Sequence, residues 1–339
     1  MREQRRCGGG RPSVRWSRWI AAFLEMALVA GIAGCGGAGS KQVKYPVRAV
    51  TLVVPYAPGG SSDLSARPVA DAMKEILGQP MVVVNKPGGG GSVGAAEVAA
   101  GKNDGYTLLN ASIGPITIVP YTTQVSYNYE SFEPIAQLTD IPLALAVSKN
   151  SKFQTLKDFV EYAKANPGAI KYGHPGAGNI QHITMERFCQ SVGIKVTQVP
   201  YEGANPAVAA LLGGHVDATV TGTQEITGQY KSGEIRVLGV TSASRVDMLP
   251  DVPTFKEQGY DLVAGVWYGV LAPKGTPKEI VDKLADAFKK ACQDSKVLEA
   301  WKKLYLTPAY LGPEEFAQRI KKDAATNQKV VESIGLSKK

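Results

Sequence analysis

The chain has 339 residues, 44% of them hydrophobic and 8% aromatic, with 38 basic and 30 acidic side chains and a formal charge of +8. That length is too great for one ordinary core and suits two lobes. Six arginines fall in the first 34 residues, so the remainder is only mildly basic; no basic run is interleaved with aromatics, which argues against nucleic acid as a partner.

The N-terminus runs from Arg2, Arg5, Arg6, Arg11, Arg15 and Arg18 into an apolar stretch, Trp19 to Ala33. A cationic segment followed by an apolar one describes an export signal. Ile32-Ala33-Gly34-Cys35 resembles a bacterial lipoprotein box, which implies cleavage before Cys35 and acylation of that cysteine. Glu25 interrupts the apolar stretch, so no run reaches the ~18 residues expected of a membrane span. The expected order is signal peptide 1–34, tether 35–44, then the globular part. Cys189 and Cys292 fall in different expected lobes, and no disulfide is expected between them.

From residue 49 the pattern is short apolar strand, glycine-rich turn, helix, repeated. Strands are expected at Val50–Val54, Met81–Val84 and Tyr106–Leu109, with helices at Leu64–Leu77 and Val93–Ala100. A second series follows. It has strands at Leu143–Val147, Ile170–Tyr172, Val196–Val199, Ala218–Val220 and Val237–Val240. Its helices are Thr155–Ala165, a segment ending near Val192, and Pro206–Leu212. A strand at Val266–Leu271 and helices near 278–291, 296–303 and 313–331 close the chain. The alternation predicts an α/β protein of two lobes, each a mostly parallel sheet flanked by helices, with a helical C-terminal tail.

Ligands of open α/β sheets bind beyond the carboxyl ends of the strands. The loop Ala57 to Asp63 enters a helix there. Gly59 and Gly60 allow close backbone approach, Ser61 and Ser62 supply hydroxyls, and the helix start supplies unpaired N–H groups that favour an anion. A competing reading has Ser62 or Asp63 only capping its own helix. The second series repeats the arrangement at Gly176 to His182. Two such helix starts facing across a cleft would grip a carboxylate from both sides. For His182, bonding to local backbone and contacting a ligand are equally open.

Other motif matches are weak. Gly89 to Gly94 fits GxGxxG, but four consecutive glycines make that match cheap, and no acidic residue closes the next strand. Gly90 to Gly94 also fits GxSxG around Ser92, which would need a base from His174, His182 or His215. There is no HExxH or CxxC, so neither metal nor cofactor is expected.

Several ordered segments carry a family resemblance. They are Tyr45-Pro46, Val54 to Asp63 with Arg67, Val84 to Gly91, and Asp104 to Thr107, then Gln181-His182, Pro200 to Gly203, and Gly213-Gly214 with Asp217. Arg245, Leu249 to Thr254 with Glu257 and Gly259, and Ala272 to Pro277 complete the set. Over roughly residues 45–320 the chain resembles the Bug-type substrate-binding proteins of tripartite tricarboxylate transporters. The resemblance implies a type II-like periplasmic-binding-protein fold with two hinge crossovers near Ala146 and Val263. Lobe 1 would be 43–147 with 262–339, and lobe 2 would be 148–261.

It also implies a receptor, not an enzyme: a monomer, exported and lipid-anchored at the outer face of the cytoplasmic membrane or in the periplasm. That receptor would bind a di-, tri- or aromatic carboxylate and hand it to membrane permease subunits. Carried over, the first-lobe grip is Gly59, Gly60, Ser61, Ser62 and Asp63, and the second-lobe grip is Gly178, Asn179, Gln181 and His182. Ser112, Tyr201 and Thr223 join them as expected ligand-binding residues. Trp267 is expected near the cleft, with lobe packing as its other reading. The polar run Thr221 to Glu225 departs from the family's usual apolar one. If Glu202 and Glu225 face the cleft, they favour a ligand bearing an amine or hydroxyls. Rival readings are a ligand sensor for a signalling partner and a serine hydrolase using Ser92.

Overall fold

The computed structural model describes residues 44–201 and 203–338. The expected signal, Cys35, the tether up to residue 43, and Glu202 lie outside the described residues. The first half contains β1 Val50–Val54, α1 Ser61–Leu77, β2 Met81–Asn85, α2 Ser92–Ala99, β3 Thr107–Ser112, two short helices α3 Ile113–Thr117 and α4 Val119–Thr122, and β4 Phe132–Ser148. Next come α5 Leu156–Ala165, β5 Lys171–His174, α6 Ile180–Val192, β6 Thr197–Pro200, α7 Ala204–Leu212, β7 Ala218–Gly222, α8 Thr223–Lys231 and β8 Ile235–Val240. The chain then returns through β9 Gly265–Pro273, α9 Lys278–Gln293, α10 Ser295–Lys303, β10 Pro308–Leu311 and α11 Pro313–Ser333.

Local chemistry fixes many of these limits. Thr155 accepts from Asp158 N–H while Asp158 accepts from Thr155 N–H, a reciprocal cap that starts α5. Its apolar stripe, Leu156, Phe159, Val160 and Ala163, is fully buried. Helix α1 ends where Gly78 takes φ 72°, the left-handed conformation that glycine adopts without a Cβ penalty.

Each lobe carries three parallel strands at its outer side. In the first, β1 lies between β2 and β3. In the second, β5 lies between β6 and β7. Toward the middle the pairing turns antiparallel, because β9 joins β3 to β4. The 17-residue strand β4 belongs to both sheets. From Phe132 to Pro142 it pairs with β9, and from Leu143 it pairs with β7 on one side and β8 on the other. The return crossing enters β9 at Gly265, opposite Pro142.

Both faces of the lobe 1 sheet are covered. Leu52, Val69, Met73, Phe288 and Trp301 fill one side, and Val53, Val98, Leu109, Trp267 and Phe316 the other. Neighbouring Leu52 and Val53 enter opposite clusters, as the two-residue strand period requires. Lobe 2 has the same plan, with Phe153, Phe159, Tyr172 and Phe188 on one side and Val208, Leu211 and Val240 on the other. Cys189 and Cys292 are buried free thiols in separate clusters. Among the described residues, no helix is long and apolar enough to cross a membrane.

Candidate interlobe binding site

The first loop is held from behind by a carboxylate. Asp63 accepts from Gly59 N–H (2.9 Å), from Arg67 through two bonds of 2.8 Å, and from Asn85 Nδ2 (2.9 Å). Burial alone would raise its pKa; the bonds from Arg67, Gly59 and Asn85 outweigh burial and hold it below the usual carboxylate range. Asp63 is therefore fully occupied in shaping the loop. Ser62 is buried beside it, and Asn110 donates to both its hydroxyl (3.2 Å) and its carbonyl (2.8 Å). Neither Ser62 nor Asp63 caps α1. The N-cap is Gly60, which has no side chain to offer, so the first N–H groups of α1 lack a side-chain partner. Gly59 and Gly60 are exposed, and Ser61 is half-buried.

A glycine cradle flanks this loop. Gly88, Gly89, Gly90 and Gly91 all have positive φ, and a Cβ on Gly91 would lie 3.1 Å from both the Tyr56 hydroxyl and Pro115. The Tyr56 hydroxyl lies 3.3 Å from Gly90 O and 3.1 Å from Ser112 Oγ. Burial, opposed by the bond to Ser112, raises the Tyr56 phenol and keeps it a neutral donor.

The second loop is organised by stacked imidazoles. Asn179 is the N-cap of α6 and accepts from His182 N–H (2.9 Å). The ring of His182 turns back so that Nδ1 accepts from Gly178 N–H (3.0 Å). His174 stacks on it at 4.8 Å and 10°. The His174 ring is fixed in turn by Gly176 and Gln198. Burial, then the neighbouring His174, pushes His182 down to about 4, so it is neutral at ordinary pH. With Nδ1 accepting, the proton sits on Nε2, 3.7 Å from Glu186. His182 thus bonds to local backbone and shapes the loop. Gln181 and Gly178 are half-buried alongside, and the Tyr201 ring packs over Gly173.

Both helix starts lie where the lobes meet. From α8, Gln224 Nε2 reaches Ser61 Oγ at 3.4 Å. Ile180 and Ile183 of α6 pack in one cluster with Ile113, Ile116 and Trp267 of lobe 1. Thr223 Oγ1 and Gln224 Oε1 are buried without a hydrogen-bond partner. Glu225 is committed to the start of its own helix, accepting from Gly222 N–H (2.9 Å) and from the Thr221 hydroxyl.

Trp267 departs from the expectation of a cleft position. It is fully buried, its indole donates to Asp323 (3.0 Å), and its ring meets Phe316 edge-on. Strand alternation sends the next residue the other way. Burial raises the Tyr268 phenol, Tyr56 and Glu225 raise it further, and the nearby Ser61 hydroxyl opposes them. The adjacent aromatic was visible in sequence; which of the pair faces Ser61 depended on a register that sequence does not specify. Among the described residues no hydrogen bond joins Ser92 to a histidine: His174 and His182 are engaged within lobe 2 by Gly176, Gln198 and Gly178, and the His215 ring lies against Gly213.

Two α/β lobes joined by crossing strands, with helix starts turned toward the space between them, define a periplasmic-binding-protein fold. The chain belongs to the tripartite tricarboxylate transporter family of receptors, whose family pattern matches residues 65–336. It is similar to BugT of Bordetella pertussis, 34% identical over 303 residues, which cover 88% of this chain and 92% of BugT. Among solved structures it is similar to a TctC solute-binding protein from Polaromonas, with TM-score 0.79, 32% identity, and coverage of 85% of this chain and 99% of that one. It is also similar to MatC of Rhodopseudomonas palustris with bound malate, with TM-score 0.69, 30% identity, and coverage of 85% and 100%. The family is one of substrate-binding receptors, not enzymes.

Proposed function

We propose that the protein is an exported, lipid-anchored receptor that captures a small organic carboxylate between its lobes and delivers it to a tripartite tricarboxylate-type permease. The observation that carries the ligand class is the start of α1, which has glycine as its cap and lies at the lobe junction beside Ser61. Such a start favours an anion. MatC, which shares the fold and holds malate, supports the same class. The Asn179 loop supplies the opposing grip, and closure turns on the two crossings of β4 and the return strand. A ligand shifts the open–closed balance only by its differential affinity for the closed form.

The test is thermal shift of the purified protein against mono-, di- and tricarboxylates, aromatic acids and acidic amino acids. At a hundredfold over Kd the expected stabilisation is about 2.7 kcal/mol. The Ser62→Ala, Asn179→Ala double variant should bind at least tenfold more weakly while remaining folded, since loss of the Asn179 cap costs only about 1 kcal/mol. Unchanged affinity in that variant would remove the assigned site. For the anchor, Cys35→Ser should move the protein from the membrane fraction to the soluble one; a variant that stays with the membrane argues against acylation at Cys35.

A further inference from the structure

Helix α6 is shared between the lobes. Met185, Phe188 and Cys189 enter the core of lobe 2, while Ile180 and Ile183 pack with Trp267 and Val331 of lobe 1. The same helix begins at Asn179, in the loop of the second grip. Lobe 1 meets it with the last turn of α11 and the segment 334–338 that follows.

That segment is fastened to lobe 1 at both ends. Where α11 stops, Gly335 takes φ 70°, its N–H donates to Glu332 O (3.2 Å), and Leu336 N–H donates to Val331 O (3.0 Å). This paired closure ends a helix and redirects the chain along a fixed course. Two residues on, Lys338 N–H donates to Tyr121 O of α4 (2.9 Å).

From these fastenings two contacts reach α6, one near each end of it. At the start, Leu336 Cδ1 lies 3.9 Å from where a Cβ on Gly178 would stand, so the leucine rests on the bare face of that glycine. Leu336 also shares a cluster with Ile180 and Ile183. Near the end, Ser333 Oγ accepts from Gln190 Nε2 (2.8 Å). Both contacts are non-covalent and lie at half-buried or exposed side chains. Rotation of the lobes about the strand crossings would carry α6 with the core of lobe 2 and the segment with lobe 1, and so would part both contacts.

We propose that segment 334–338 is a clasp that keeps the lobes together before any ligand binds. Leu336 and Ser333 hold α6 toward its two ends, and the bond from Lys338 to Tyr121 keeps Leu336 in place. The clasp sets the resting ratio of open to closed protein, which a ligand then shifts. Neither the clasp nor its test depends on the carboxylate reading above, since no ligand takes part in either.

The test is small-angle X-ray scattering of the full chain after exhaustive dialysis, with native mass spectrometry to verify that no small molecule stays bound. Wild-type scattering should match joined lobes. The Gln190→Ala, Leu336→Ser variant should raise the open-to-closed ratio at least tenfold, read as a larger radius of gyration. Lys338→Pro removes the N–H that Tyr121 O accepts and should expand the protein in the same direction. Lys338→Ala keeps that N–H, and Leu336→Met keeps an apolar side chain on Gly178; both should scatter like wild type. Gln190 and Lys338 are exposed, so Gln190→Ala and Lys338→Pro decide the matter if Leu336→Ser lowers the urea midpoint. A ligand-free wild-type protein that is already open would overturn the proposal. So would folded Gln190→Ala and Lys338→Pro proteins with the wild-type radius, or expansion in Lys338→Ala equal to that in Lys338→Pro.

Discussion

Replacing Asp63 with alanine is expected to destabilise the protein by roughly 2–4 kcal/mol and to weaken carboxylate binding at least tenfold, although Asp63 has no bond to spare for a ligand. Its oxygens collect Gly59 N–H, the Arg67 guanidinium and Asn85 Nδ2. Removing them strands three donors and frees the loop that aims Gly60 and Ser61. Ser61→Ala keeps that loop and should leave stability within ~0.5 kcal/mol. Urea unfolding beside ligand titration separates the two. An Asp63→Ala protein with wild-type affinity would show that the loop needs no such support. The same carboxylate makes stability sensitive to acid. Its folded pKa is depressed, so its contribution is present above the unfolded pKa and is lost as pH falls through the folded one.

Acid should act more strongly through His182. In an unfolded chain a histidine titrates near 6.5; here burial and His174 bring it to about 4. Between those values the unfolded chain binds a proton that the folded protein refuses, so stability falls as pH drops from about 6.5 toward 4. The full loss is on the order of 3 kcal/mol. The new proton would go on Nδ1, the atom that accepts from Gly178 N–H, so acid also dismantles the second grip. His182→Asn keeps an acceptor near that position without a titrating ring. Urea midpoints measured from pH 4 to 7 should slope less in this variant than in the wild-type protein; equal slopes would exclude His182 as the group responsible.

Much of the strand and helix order was legible because each apolar run was bounded by glycine or proline. The segments that were not legible share a physical cause. The first half of β4, from Phe132 to Pro142, mixes Glu133, Pro134, Gln137, Thr139 and Asp140 into its apolar residues, and only pairing with β9 and β10 makes it a strand. Helix α8 reads as polar, Thr223 to Lys231, and is a helix because Ile226 packs on lobe 2 and Glu225 closes its first turn. In the site, the residue types were visible and their roles were not. Asp63, Asn179 and His182 all stood in the two loops, but whether a side chain faces outward or back onto its own backbone depends on distant partners such as Asn85 and His174. The Trp267 and Tyr268 pair shows the same limit at a resolution of one residue.

The shared strand β4 has a consequence for how the protein comes apart. Leu143, Leu145 and Val147 fill the lobe 2 core, while Ile135, Ala136 and Leu138 of the same strand fill that of lobe 1. Neither lobe owns its own centre. A fragment spanning 148–261 would leave β7 and β8 with a bare ladder of unpaired backbone groups where β4 had joined them, and lobe 1 without the strand would lose the partner of β9 and β10. Melting either core therefore strips the other, and the two lobes are bound to unfold as a single cooperative unit.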